Sequence, residues 1–181
     1  MKKWLLAFRL RTLPLTLASI GMGAFLAAAH RALDIGIFGL CALTTILLQL
    51  LSNLANDYGD SIHGADSAER AGPSRAVQSG AITKSAMKKA IIICGLLAFL
   101  SGIGLIYMAF DFTLNFWIFL GFGLVAIAAA TTYTVGCKPY GYAGLGDLSV
   151  LIFFGFIAVL GSAFLYEKVV YWEYILPALS V

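Results

Sequence analysis

Asn53-Leu54-Ala55-Asn56-Asp57-Tyr58-Gly59-Asp60-Ser61-Ile62-His63-Gly64-Ala65-Asp66 puts three carboxylates and two carboxamides within fourteen residues, directly after an apolar run long enough to cross a bilayer. The chain has nine Asp and Glu among 181 residues, so a third of its acid lies in this stretch. Carboxylates gathered at a membrane surface repel one another and are costly to desolvate. Such a cluster calls for a cation, or a cation with an anionic substrate, to complete it.

The polar residues leading into the stretch keep helical step. Gln49, Ser52, Asn53 and Asn56 recur at three- and four-residue spacing and share a face, which Asp57 and Asp60 continue for another turn. On a spanning helix such a face turns into the bundle or a wet cavity, not into lipid. The connection that follows, residues 57–84, is acidic first (Asp57, Asp60, Asp66, Glu69) and basic afterwards (Arg70, Arg75, Lys84). A metal-bound phosphate needs both: carboxylates for the metal, cations for the oxygens the metal leaves free. The cation such donors suit is hard, with Mg²⁺ the expected one. His63 has no second His, Cys or Asp at zinc-like spacing and reads as an exposed loop histidine.

Composition sets the class. Hydrophobic residues make up 61% of the chain and charged residues 12%, about half the charged share of a soluble domain. The chain is therefore expected to be an integral membrane protein with the lipid bilayer as its surroundings, and its small net charge of +3 gives no expectation of a nucleic-acid partner. Cys41 and Cys94 fall inside apolar runs and read as buried thiols; with Cys137 they form no CxxC. The basic, amphipathic start (residues 1–12) reads as an interfacial segment leading into a retained first helix rather than a cleaved signal. Spans are expected over residues 13–29, 35–54, 90–110, 116–135 and 148–165, giving an all-α polytopic transmembrane bundle. Residues 175–181 start a sixth, far short of the roughly 20 residues a crossing needs. Ten Lys and Arg (positions 2, 3, 9, 11, 70, 75, 84, 88, 89 and 138) fall on one side and two (31 and 168) on the other. By the positive-inside rule, the N-terminus, the Asp-rich connection and the Tyr-Gly loop from Lys138 to Asp147 are expected to be cytoplasmic.

Asn56-x-x-x-Asp60-x-x-x-x-x-Asp66 resembles the first aspartate-rich motif of the UbiA superfamily of intramembrane prenyltransferases. The longer string Leu-Ala-Asn56-Asp57-Tyr58-Gly59-Asp60, Gly64-Ala65-Asp66 and Gly72-Pro73-Ser74-Arg75 resembles its menaquinone branch. Lys138-Pro139-Tyr140-Gly141-Tyr142 with Gly144-Leu145-Gly146-Asp147 resembles the family's loop between helices four and five. The resemblance runs from Phe8 to the end of the chain. It implies a bacterial inner-membrane enzyme that transfers a polyprenyl group from a prenyl diphosphate to 1,4-dihydroxy-2-naphthoate, with loss of CO₂, to give demethylmenaquinone. It further implies that Asn56, Asp60 and Asp66, with Asp57, hold Mg²⁺, and that Arg70, Arg75, Lys84 and Asn53 hold the diphosphate. Tyr133, Tyr140 or Tyr142 would face the allylic carbocation, with Lys138 and Asp147 in the catalytic set. Two further readings stay open: interfacial anchoring for Tyr140 and Tyr142, and capping of the fifth helix for Asp147.

The family has nine helices and a second aspartate-rich motif after the sixth, and nothing after Asp147 resembles that motif. The expectation is a single membrane domain over residues 1–181, the N-terminal part of such an enzyme. It would be unable to turn over alone, with a C-terminal half as the missing partner. The competing readings are a family member with another aromatic acceptor, a carboxylate-dependent cation or proton transporter, and a non-catalytic membrane fragment.

Overall fold

A computed structural model describes residues 2–30, 32–64 and 75–180. Among these, every regular element is helical: α1 (Lys2–Phe8), α2 (Leu13–Ala29), α3 (Ile35–His63), α4 (Lys84–Phe110), α5 (Leu114–Thr132), α6 (Gly146–Glu167) and α7 (Ile175–Leu179). Single 3₁₀ turns sit at Leu10–Thr12, Tyr140–Ala143 and Trp172–Tyr174. Five segments are long and apolar enough to cross a membrane, α1 and α2 counting as one of them with the turn between. The chain is a polytopic helical bundle.

Local chemistry marks the helix ends. Asp34 Oδ1 accepts the Ile37 amide at 2.9 Å and opens α3; Thr83 Oγ1 accepts the Ala86 amide at 3.2 Å and opens α4. Pro14 sits in the first turn of α2, where its missing N–H is harmless. Gly64, at φ 67°, stops α3. With 29 residues, α3 is about 44 Å long at 1.5 Å per residue, well beyond the roughly 30 Å of hydrocarbon in a bilayer. The sequence reading ends the second span at residue 54, but the helix continues to His63. Its last turns carry the polar face out past the apolar layer as rigid helix.

The core forms two clusters along α3. One gathers Ile20, Cys41, Ile106, Phe110, Phe116 and Leu165; the other gathers Leu51, Leu54, Tyr58, Val77, Ile82 and Met87, with Ala7 of α1. The second cluster lies under the aspartate-rich end and is closed by residues 76–82, which fold back over α3. The opposite end is pinned by polar contacts. Tyr174 Oη donates to Glu167 Oε1 at 2.9 Å and lies 2.8 Å from His30 Nδ1. Burial, then the neighbouring Glu167 carboxylate, push the Tyr174 hydroxyl up, so it stays a protonated donor.

The fifth span departs from its sequence reading. Residues Leu151–Gly161 are π-helical, with eleven residues in the wider coil. Such a coil is rare and short elsewhere and concentrates at functional sites. α7 packs on this stretch, its Ala178 carbonyl lying where a Cβ on Gly155 would be 2.4 Å away.

α2 meets α6 just as closely. A Cβ on Gly23 would stand 2.0 Å from Ser162 Oγ and 2.5 Å from the Val159 carbonyl, whereas one on Gly21 meets nothing within 4 Å. Gly23→Ala is therefore expected to destabilise the bundle by about 1–3 kcal/mol and Gly21→Ala by less than about 0.5 kcal/mol. Thermal unfolding midpoints of the two variants in one detergent check this, and equal midpoints would refute the close crossing.

Candidate active site

Each α3 carboxylate is answered by a different part of the chain. Asp57 is 2% exposed; its Oδ2 accepts the Ala76 amide at 3.0 Å and its Oδ1 the Val77 amide at 3.2 Å. Both oxygens thus hold down the segment that folds back over α3. Asp60, one turn on, pairs through Oδ2 with the Arg75 guanidinium, both side chains about nine-tenths buried. Its Oδ1 accepts the Tyr142 hydroxyl at 2.7 Å. Three segments distant in sequence converge on this one carboxylate. Removing one partner of so buried a pair would leave the other charge unanswered, at a cost of about 3–5 kcal/mol.

The loop from Tyr133 to Leu145 lies against the same end. The His63 ring nitrogens face the Gly59 and Gly136 carbonyls, each at 3.0 Å, and the ring meets Tyr142 edge-on at 5.6 Å. The backbone of Thr134 touches α3 at Gly59, where a Cβ would fall 2.3 Å from the Thr134 carbonyl oxygen. Buried Thr134 places Oγ1 3.1 Å from the Ala55 carbonyl and 3.1 Å from Asn56 Oδ1.

Beneath this polar end runs a cavity of about 420 Å³, lined at its top by Asn56, Ser52, Gln49 and Thr16 and deeper down by Cys41, Phe119, Phe153 and Ile157. Asn56 and Cys41 stand fifteen residues apart on α3, about 22 Å at 1.5 Å per residue. The lining is mostly apolar, and the π-helical stretch supplies one wall. Tyr133 and Tyr140 line the cavity too, their rings edge-on at 5.1 Å. Tyr140 Oη donates to the Ala129 carbonyl at 3.0 Å, and burial pushes its hydroxyl up, which keeps it protonated.

The expected site residues divide accordingly. Asn56, Tyr133 and Tyr140 line the cavity, while Asp60, Arg75 and Tyr142 form one cluster a turn further along α3. Asn53 lies within the same end but is turned to the N-terminal segment, its Nδ2 donating to the Phe8 carbonyl at 2.9 Å and to Thr12 Oγ1 at 3.1 Å. Lys84, Lys138 and Asp147 are exposed, Asp147 in the first turn of α6. Asp66 and Arg70 lie outside the described residues. His63, read from the sequence as an exposed loop residue, Gly59, a member of the quoted motif with no role assigned, and Thr134, which the sequence reading left out, belong to the site's frame. The one signal for Thr134 was the run Thr131-Thr132-Tyr133-Thr134, a cluster of hydroxyls at the end of an apolar helix.

Among the described residues no three Asp, Glu, His or Cys side chains form a metal-sized group. The donor chemistry still suits a hard divalent ion. Asn56 and Asp60 are oxygen-bearing, one turn apart and beside the cavity, and Mg²⁺ is commonly held by one or two carboxylates with substrate phosphates and water completing its shell. The other acid, Asp57, accepts the Ala76 and Val77 amides. Asp57→Asn turns an N–H toward one of those amides and is expected to cost about 1–3 kcal/mol. Hydrogen exchange at Ala76 and Val77 should rise several-fold without any ligand. Unchanged protection there would show that the carboxylate does not hold the segment.

Comparison with known proteins agrees with this arrangement. The UbiA prenyltransferase family model matches residues 15–181. Among curated proteins, the chain is 48% identical over 99% of its length to a 1,4-dihydroxy-2-naphthoate octaprenyltransferase of Haemophilus influenzae and 47% identical over 97% to one of Escherichia coli. A protein of the same description from Mycobacterium tuberculosis is 36% identical over 94% of the chain. The chain spans 59%, 57% and 56% of the lengths of these three relatives. No solved structure matches. An aspartate-bearing helix end over an apolar cavity, carried by a sequence that the family model matches almost throughout, makes this chain a member of the UbiA prenyltransferase family.

Proposed function

We propose that this chain carries prenyl-diphosphate-binding machinery of an enzyme that transfers a polyprenyl group to 1,4-dihydroxy-2-naphthoate, with loss of CO₂, giving demethylmenaquinone. The observation that carries the reading is the two-part cavity. Asn56 stands at its polar end, with Asp60, Arg75 and Tyr142 clustered one turn further along α3; the rest is an apolar channel walled in part by α3, α5 and α6. A prenyl diphosphate has the same division, an anionic head on a long hydrocarbon tail. The acceptor class rests on the naphthoate prenyltransferases that the chain resembles.

Asn56 and Asp60, with Asp66, would hold Mg²⁺, which when bound stabilises negative charge on the leaving diphosphate as a Lewis acid. Arg75 lies beside Asp60 and can serve phosphate oxygens in the bidentate manner of a guanidinium; Arg70 and Lys84 are assigned the same task. As the allylic C–O bond breaks, its electron pair leaves with the diphosphate and the prenyl carbon becomes cationic. The Tyr133 and Tyr140 rings at the cavity wall offer π-faces to that cation, and the apolar lining keeps water from quenching it. The electron-rich naphthoate ring then attacks through the carbon bearing the carboxylate, and that carbon loses CO₂ as aromaticity returns. Lys138 and Asp147 are assigned to the acceptor side of the loop. The charge asymmetry supports a cytoplasmic position for this end, at a bacterial inner membrane.

Binding of farnesyl diphosphate to the purified chain in detergent is expected to need both Mg²⁺ and Asp60, with Asp60→Ala weakening it at least about thirtyfold, the equivalent of about 2 kcal/mol. Binding indifferent to Mg²⁺ and to Asp60→Ala would sink this reading. Acceptor choice is tested by turnover of the complete enzyme with 1,4-dihydroxy-2-naphthoate against 4-hydroxybenzoate.

A further inference from the structure

Thr134 has no part in the mechanism above, yet it is 3% exposed and touches Asn56, one of the two carboxamides that line the cavity. Its Oγ1 lies 3.1 Å from the Ala55 carbonyl oxygen and 3.1 Å from the Asn56 terminal atom placed as Oδ1, so the arrangement inferred below exchanges the two ends of that carboxamide. A hydroxyl has a single hydrogen, and a carbonyl can only accept. If that hydrogen went to an Asn56 oxygen, Thr134 Oγ1 and the Ala55 oxygen would face each other with nothing between them. If it goes to Ala55, Oγ1 remains as an acceptor and Asn56 can answer it with an N–H. The Ala55 carbonyl already accepts the Gly59 amide within α3, so neither arrangement strands it; but only the second puts a hydrogen in both contacts and avoids two acceptor oxygens 3.1 Å apart with none between them. The two terminal atoms of a carboxamide have the same shape, so the network around them decides which way they point.

We infer that Thr134 is a positioning residue: by accepting from Asn56 Nδ2, it turns Asn56 Oδ1 into the cavity. The inference rests on the prenyl-diphosphate reading, because a hard cation takes the oxygen of a carboxamide and not its N–H. The frame holds Thr134 in place. Its backbone is seated on Gly59, where a side chain would collide with the Thr134 carbonyl. The Val135 amide bonds the Thr131 carbonyl at 3.1 Å and continues the end of α5 through it. Asn56 therefore meets a fixed acceptor on one side and the cavity on the other, with Asp60 one turn along the same face.

The test is an Mg²⁺ titration of farnesyl diphosphate binding by the full 181-residue chain in detergent. Thr134→Val keeps the shape and removes the hydroxyl; it is expected to raise the Mg²⁺ concentration for half-saturation about tenfold, the scale of lost outer-sphere support at metal sites. At saturating Mg²⁺ its affinity for the diphosphate should stay within about twofold of wild type. Thr134→Ser should restore the Mg²⁺ dependence, and Thr134→Val should add nothing in an Asn56→Ala background. Thr134→Ala removes the hydroxyl without added bulk and should shift the titration as Thr134→Val does. An unchanged Mg²⁺ requirement in both hydroxyl-less variants would overturn the inference and leave the prenyl-diphosphate reading standing. So would a loss of binding at every Mg²⁺ concentration that Thr134→Ser fails to restore, since that marks a purely structural threonine. Wild-type binding without any Mg²⁺ dependence would overturn both.

Discussion

A carboxylate at the end of a membrane-spanning helix has to be answered by something, and α3 carries two, one turn apart. Everything at this end of the bundle follows from how they are answered. Asp57 is satisfied by two backbone amides of residues 76 and 77, which ties the returning chain to α3 before α4 begins. Asp60 meets a guanidinium from the start of that same returning segment and a phenol from a further one. The first solution is structural, because amides cannot be exchanged for a ligand without unfolding the turn. The second is exchangeable, because Arg75 and Tyr142 are side chains that can pass to phosphate oxygens. Two acids three residues apart thus acquire different work through their partners.

The same contrast explains what was legible in the sequence. The helical step from Gln49 to Asp60 gave the polar face, and the apolar runs gave five spans, since both follow from residue spacing on a single element. The length of α3 was underestimated because a run of Asn, Asp and Gly looks like a loop when read by composition. Its helicity depends on contacts made twenty to eighty residues away, by Ala76, Val77 and Thr134. Asn53 shows the limit from the other side. It shares the face of Asn56 but points to the Phe8 carbonyl and Thr12, where it fastens the N-terminal segment across the helix. Face-sharing says which residues can reach a site; only the partners say which of them do.

The π-helical stretch in α6 had no sequence signal at all. Residues 151–161 read Leu-Ile-Phe-Phe-Gly-Phe-Ile-Ala-Val-Leu-Gly, apolar throughout, and hydrophobicity without periodicity cannot distinguish one helical winding from another. Tertiary packing is where the winding becomes visible. Gly155 admits the Ala178 carbonyl of α7 on one side, while Phe153, Phe154 and Ile157 line the cavity on another. A wider coil separates those two duties around the helix, so that one segment can be both a close-packed interface and a channel wall.

Polarity at the two ends also differs in kind. The far end is closed by His30, Glu167 and Tyr174, which bond one another and leave no cavity lining among them. The near end has its polar groups beside an apolar cavity that Asn56, Ser52, Gln49 and Thr16 line at its top. Polar atoms within an apolar bundle are costly unless paired, and the ligand proposed above has a pair for each region. A ligand with an anionic head and an apolar tail completes both halves of that pairing at once: the tail covers the channel wall and the head meets Arg75 and the oxygens of Asn56 and Asp60 through a cation. The chemistry proposed here is the consequence of that division, and it is written along a single helix, from Cys41 deep in the cavity through Asn56 at its top to Asp60 one turn beyond.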